Sequence, residues 1–197
     1  MKKLSSTLPN MVIVLTVTTV IAGFLLGYVY SATREARDKA ANDKLVSAIG
    51  NVVQGFDNDP VAERREVSIA SGETFVAYPA RKSGQLIGCA VESYSDNGFA
   101  GRITIVTGFD SCGNITGYEV TQHGETPGLG AKMGEWFRGE GSRSVIGLNP
   151  SVKALKVSKD GGDVDGITAA TISSRAFLDA VNKGAEAAHE IIQLCDK

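Results

Sequence analysis

The chain has 197 residues, 43% of them hydrophobic and 21% charged, with a mean hydropathy of zero; that balance excludes a mostly disordered chain and a multi-span membrane protein. A formal net charge of −2 and a pI of about 5.7 exclude a general nucleic-acid binder, which would be basic. Two His and three Cys are too few for a multi-ligand zinc or iron–sulfur centre within this chain, and no metal site is expected.

The average hides a strong asymmetry. Residues 11–30, MVIVLTVTTVIAGFLLGYVY, carry no charge. A helix of that length spans about 30 Å, the thickness of a bilayer core. Tyr28 and Tyr30 lie at one end, where aromatic rings favour the membrane interface, and Lys2 and Lys3 flank the other. By the positive-inside tendency the N-terminus stays cytoplasmic and the rest of the chain is exported from an inner (cytoplasmic) membrane. A cleaved signal peptide would have a shorter apolar run, and Ser31-Ala32-Thr33 is only a weak cleavage pattern, so the reading is a retained single-pass anchor. Gly23 and Gly27 form a small-xxx-small pair that permits close helix contact in the membrane. Removing residues 1–31 removes two lysines and no acid, which leaves an ordinary acidic surface of net charge −4.

Residues 33–53 are rich in Ala, Lys, Arg, Glu and Leu without proline, and predict a helix that continues the anchor as a polar stalk. The breaker cluster at 57–60 ends it. From Glu66 to His123 the pattern changes to short strands: EVSIA, TFVAYPA, LIGCAVESY, RITIVTGFD and ITGYEVTQ. Ser-Gly, Lys-Ser-Gly, Asp-Asn-Gly and Cys-Gly-Asn supply the turns, and antiparallel pairing of neighbours is the simplest topology. Residues 131–138 predict a short helix bearing Trp136, and 154–157 a further strand. Residues 173–194 predict a helix with Phe177, Leu178, Val181, Ala185, Ala188, Ile191 and Ile192 along one stripe. The fold class is therefore α+β: one antiparallel sheet with helices at its ends or on one face. The expected organisation is 1–32, N-terminus and transmembrane anchor; 33–60, stalk; 61–197, the exported domain.

Two segments carry chemical signals. HGETPGLG at 123–130 follows a strand, and its proline and glycines permit a tight turn that exposes backbone N–H groups. It also reads as an ordinary strand-to-helix connection. DGITAATISS at 165–174 opens the last helix with four hydroxyl residues in seven, more than one N-cap needs. A hydroxyl at a helix start is well placed to carry a phosphate.

Together these segments resemble the FMN-binding domain family. The D-x-x-T-x-A-T stretch looks like its covalent flavin-attachment motif, and H-x-E-T-P-G-L-G like its partner loop. With an N-terminal membrane helix the chain is similar to the G subunits of Rnf complexes, ion-translocating ferredoxin:NAD⁺ oxidoreductases, and more distantly to the C subunits of sodium-translocating NADH:quinone reductases. The resemblance implies FMN joined through its phosphate to Thr171, a threonine ester made by a separate flavin transferase. It implies that His123, Glu125, Thr126, Gly128, Leu129, Gly130, Lys132, Asp165, Ile167 and Thr168 surround the cofactor, with Leu129 on the ring face and Asp165 in the transferase's recognition motif. It implies no catalytic residue within the chain, electron relay to other subunits of the membrane complex, and ion movement in those partners, since a single uncharged helix offers no ion path. Ala169 stands where the family usually has Gly, adding a methyl where the backbone would approach the cofactor or adopt an unusual φ. A membrane-anchored FMN sensor or regulator outside any redox pump is the alternative function. Cys89 and Cys112 fall in an exported domain where they could pair, whereas Cys89 in an apolar strand also reads as a buried free thiol.

Overall fold

The computed structural model describes residues 7–195, so Lys2 and Lys3 lie outside the described residues. The chain forms two compact units that divide between Asp43 and Lys44.

In the first unit, the helix α1 (Leu8–Val52) begins and runs without a break. Its apolar stretch is long enough and apolar enough to cross a membrane by length and composition, and it is exposed on all sides. The three threonines in that stretch satisfy their hydroxyls within the helix: Thr16, Thr18 and Thr19 each donate to a carbonyl one turn back, at 2.9 Å. A hydroxyl so bonded costs little in an apolar medium.

The second unit is built on a five-stranded antiparallel meander, β1 (Arg65–Ser68), β2 (Thr74–Lys82), β3 (Gln85–Gly98), β4 (Gly101–Asp110) and β5 (Ile115–Gln122), in sequence order across the sheet. Each run of β-branched and aromatic residues in the sequence becomes one strand. The hairpin between β3 and β4 turns at Phe99 and Ala100, just past the Asp-Asn-Gly that suggested it, because Asp96, Asn97 and Gly98 continue the strand. Both faces of the sheet are covered. Phe75, Ala77, Cys89, Val91, Ile103, Ile105 and Phe109 pack on one side with helix α3 (Thr171–Cys195). Tyr78, Ala80, Ala90 and Val106 pack on the other with Ala48, Ile49, Val52 and Val53. The last turns of α1, read from the sequence as part of a polar helical stalk, form the second cover of the sheet. Leu45, Ala48, Ile49 and Val52 make an apolar stripe at helical spacing, and Thr116 Oγ1 on β5 donates to the Val52 carbonyl at 2.5 Å.

Helix α3 is fixed to the sheet by polar as well as apolar contacts. Ser93 Oγ donates to the Ala180 carbonyl at 2.8 Å, and Ser95 Oγ to Asp179 at 2.6 Å. All seven residues expected on its apolar stripe are buried. Phe177 stacks on Phe137 with ring centroids 4.3 Å apart and meets Tyr118 edge-on at 4.8 Å. Met133–Trp136 forms α2, which follows a 3₁₀ turn at Gly130–Lys132. Residues 154–157 are not a strand. The Asn182 side chain takes both the N–H and the carbonyl of Leu155, at 2.8 and 2.9 Å, leaving that backbone no sheet partner; Val157 makes a lone bridge to Val164. Cys89 is buried and Cys112 exposed, and the two are not paired with each other.

Replacing Phe177 with Ala deletes a fully buried ring and is expected to cost about 3–5 kcal/mol. Ile172→Ala, on the exposed side of the same helix, should stay within about 0.5 kcal/mol. Urea unfolding of the full chain in detergent, followed by circular dichroism, measures both.

Candidate functional site

The two chemical segments of the sequence meet at the start of α3. After β5 the chain passes through His123, whose Nδ1 accepts the Glu125 N–H at 3.2 Å. Thr126, Pro127, Gly128 and Leu129 form a turn closed by the Leu129 N–H on the Thr126 carbonyl at 3.2 Å. Gly128 has φ +78°, the conformation that a proline–glycine type II turn requires at its third position. The turn leaves Leu129 41% exposed at the mouth of a cavity.

Glu125 faces inward. It is 4% exposed, accepts the Ala100 N–H at 3.0 Å on one carboxylate oxygen and the Ser173 hydroxyl on the other. One buried charge therefore joins the loop after β5, the tip of the β3–β4 hairpin and the first turn of α3. Gly130 makes room for this: a Cβ there would stand 2.4 Å from Ser173 Oγ and 2.6 Å from Glu125 Oε2. Glu125 and Gly130 line the cavity but are spent on its construction.

The 165–174 segment is equally tied. Asp165 accepts Ser142 Oγ at 2.5 Å and Ser158 Oγ at 2.8 Å, while its carbonyl accepts Trp136 Nε1 at 2.8 Å. The two hydroxyls, Ser142 first, hold its carboxyl below the usual range. Ile167 is buried, and its N–H donates to Ser174 Oγ at 2.8 Å. The Ala170 N–H bonds the Ile167 carbonyl at 3.0 Å, closing a turn over Thr168 and Ala169. Ala169 has φ +61°, so the methyl that departs from the family pattern does sit on a left-handed residue.

Four hydroxyl side chains lie between 168 and 174. Ser173 and Ser174 are buried and hydrogen-bonded within the protein. Thr168 is exposed. Thr171, the first residue of α3, is partly exposed, and its Oγ1 accepts Lys159 Nζ at 3.3 Å. Thr171 also lies where two cavities adjoin. One, of about 330 Å³, is walled by Phe99, Leu129, Ala169, Ala170 and Ile172. The other, of about 480 Å³, is walled by Trp136, Arg143, Ser158, Lys159, Asp165 and Thr168. The first is predominantly apolar; the second is less so and holds the charged side chains, with Val157, Ile167 and Ala169 also in its wall. His123, Gly128 and Lys132 line neither, although the sequence placed them beside the site. Phe99, Arg143, Lys159 and Ile172 were not singled out by sequence. Phe99 and Ile172 left a signal, as large apolar residues at a hairpin tip and on the solvent side of a helix start.

These elements define a flavin-binding module. Residues 98–186, from the β3–β4 hairpin through most of α3, match the FMN-binding domain family. The chain is 30% identical over 183 residues to the G subunit of the ion-translocating oxidoreductase complex of Vibrio cholerae serotype O1 (strain M66-2), covering 88% of this chain and 87% of that one. It is 35% identical over 156 residues to the corresponding G subunit of Yersinia pestis, covering 76% and 71%. With the G subunit of Vibrio parahaemolyticus serotype O3:K6 it shares 42% over 147 residues, covering 70% and 69%. The chain belongs to this family of oxidoreductase complex G subunits.

The residues present fit FMN. The cofactor joins a flat apolar ring to a polar ribityl chain and a phosphate, and the two cavities flanking Thr171 differ in the same sense. Phe99, Leu129 and Ile172 offer surface to a ring; Arg143, Lys159 and Ser158 offer charge and hydrogen bonds to a phosphate.

Ala169→Gly relieves the left-handed methyl, worth about 1–2 kcal/mol, against an unfolded-state entropy loss of about 0.4–1 kcal/mol. The melting temperature should therefore rise by about 1–3 °C, read by differential scanning fluorimetry of the detergent-solubilised chain.

Proposed function

We propose that this chain is the electron-transfer subunit of a membrane-bound ion-translocating ferredoxin:NAD⁺ oxidoreductase, with FMN esterified to Thr171. Family membership supports the oxidoreductase complex, and the FMN-binding domain supports the cofactor. The observation that carries the attachment is the position of Thr171: a partly exposed hydroxyl at the first turn of a 25-residue helix, between an apolar cavity and one lined by Arg143, Lys159 and Asp165. Unpaired N–H groups and the helix dipole there favour a linked phosphate. Once linked, FMN supplies the redox chemistry. The protein's part is placement. Leu129 and Phe99 line the apolar cavity, Asp165 ties the segment before the Thr171 turn to Ser142 and Ser158, and Glu125 locks the loop against the helix. Covalent linkage suits an exported domain, where a dissociated cofactor could not readily be replaced. A separate flavin transferase is required, because an unactivated threonine hydroxyl is a poor nucleophile.

On this reading α1 anchors the domain on the exported side and contributes no charge within its apolar run. Ion movement then belongs to partner subunits, and Gly23 and Gly27 offer a face on which the anchor can pack against their helices.

Thr171→Ala should abolish covalent flavin, seen as loss of fluorescence in a denatured gel band and of the flavin adduct in peptide mass spectrometry. The fold should survive with a loss within about 0.5 kcal/mol, since Thr171 is partly exposed and its hydroxyl bonds the Lys159 side chain rather than capping the helix. Thr168→Ala should retain the adduct. An unmodified Thr171 in chain made alongside its transferase refutes the attachment.

Topology has its own test. Protease added to right-side-out membrane vesicles should digest the domain, and digestion confined to inverted vesicles would reverse the orientation.

A further inference from the structure

The polar cavity contains more positive than negative charge. Arg143 and Lys159 line it against a single carboxylate, Asp165. Asp165 already accepts two serine hydroxyls, and it faces Arg143 electrostatically. The neighbouring acid, Asp160, is occupied by a two-pronged pair with Arg175 at 2.6 and 2.7 Å. Among the described residues Lys159 has no ion pair, and its ammonium instead donates to Thr171 Oγ1. The 3₁₀ turn Ser158–Asp160 carries it there, held by the Ser158 N–H on the Val164 carbonyl at 2.8 Å.

We propose that Lys159 is the positioning residue for flavin attachment at Thr171, an inference that rests on the attachment proposed above. Before transfer the ammonium occupies one lone pair of Oγ1 and fixes the side-chain rotamer. The second lone pair and the hydroxyl proton have no protein partner among the described residues. In the transfer, Oγ1 forms a bond to the phosphorus of a flavin phosphoanhydride donor, and the anhydride P–O bond breaks. The leaving phosphate keeps the electron pair, and the hydroxyl proton goes to a base of the transferase. The product is a phosphodiester with one negative charge, and its non-bridging oxygens lie one bond beyond Oγ1. The Lys159 arm reaches them by a small rotation, exchanging a bond to a neutral hydroxyl for one to an anion. Such a bond is stronger in the charged state than before it, which is the condition for accelerating transfer. The single excess positive charge of the cavity matches the single charge that arrives.

The experiment uses the full chain in membranes, produced with its flavin transferase and pulsed with flavin. Mass spectrometry follows the fraction of the Thr171 peptide carrying the adduct over time. Lys159→Met should slow loading about fivefold at low salt, the most that an exposed charge pair commonly supplies. Lys159→Arg should restore most of the rate, and the gap between Met and wild type should narrow at high salt. Melting temperatures should coincide, since Lys159 is exposed. Loading of Lys159→Met at the wild-type rate overturns the inference, as does an Arg variant as slow as Met. A wild-type chain that carries no flavin on Thr171 overturns the attachment itself, which separates the two failures.

Discussion

The site depends on one buried carboxylate. Glu125 cannot leave water without partners, because an unpaired charge at 4% exposure would cost several kcal/mol. Its partners come from two other places in the chain: the Ala100 N–H in the β3–β4 hairpin and the Ser173 hydroxyl in α3. Satisfying that charge brings three segments, distant in sequence, to one point. The apolar cavity is the space left between them, so its walls are as well determined as the carboxylate's hydrogen bonds.

The sheet supplies the rigidity behind this point. Strands β2 to β4 are covered on both faces, by α3 and by the end of α1, so their residues alternate between two cores. Helix α3 is bonded to β3 through Ser93 and Ser95, which fixes its axis and therefore the position of its first turn. Two tight turns then deliver the accessible residues: one presents Leu129, the other Thr171. Each turn contains a residue of positive φ. Gly128 adopts it freely, while Ala169 adopts it against a steric preference. The strained residue lies two positions before Thr171 at the edge of both cavities, where local strain commonly serves placement.

The five strands, their antiparallel order and the last helix were legible in the sequence, because β-branched runs and glycine turns act within a few residues. Two features escaped it. The backbone of Leu155 is claimed by Asn182, an interaction across 27 residues that no local pattern announces. The final turns of α1 looked like stalk from composition, although Leu45, Ala48, Ile49 and Val52 already spelled an apolar stripe. The motifs located the candidate site along the chain, but their residues have unequal standing in space. Glu125 and Asp165 are structural ties, while His123 and Lys132 stand outside both cavities. Lys159 and Phe99 come from a 3₁₀ turn and a hairpin tip whose proximity to Thr171 is a product of the whole fold.

The chain has a single tryptophan, and its ring borders the polar cavity with its N–H fixed on the Asp165 carbonyl. Tryptophan emission overlaps flavin absorption, so with FMN in the place proposed above Trp136 becomes an energy-transfer donor in the wall beside Thr171. Its excited-state lifetime would then distinguish flavin-free from flavin-bearing chains without any label. The hydrogen bond that steadies the indole also steadies its transition dipole, making the optical signal a readout of local geometry as well as occupancy.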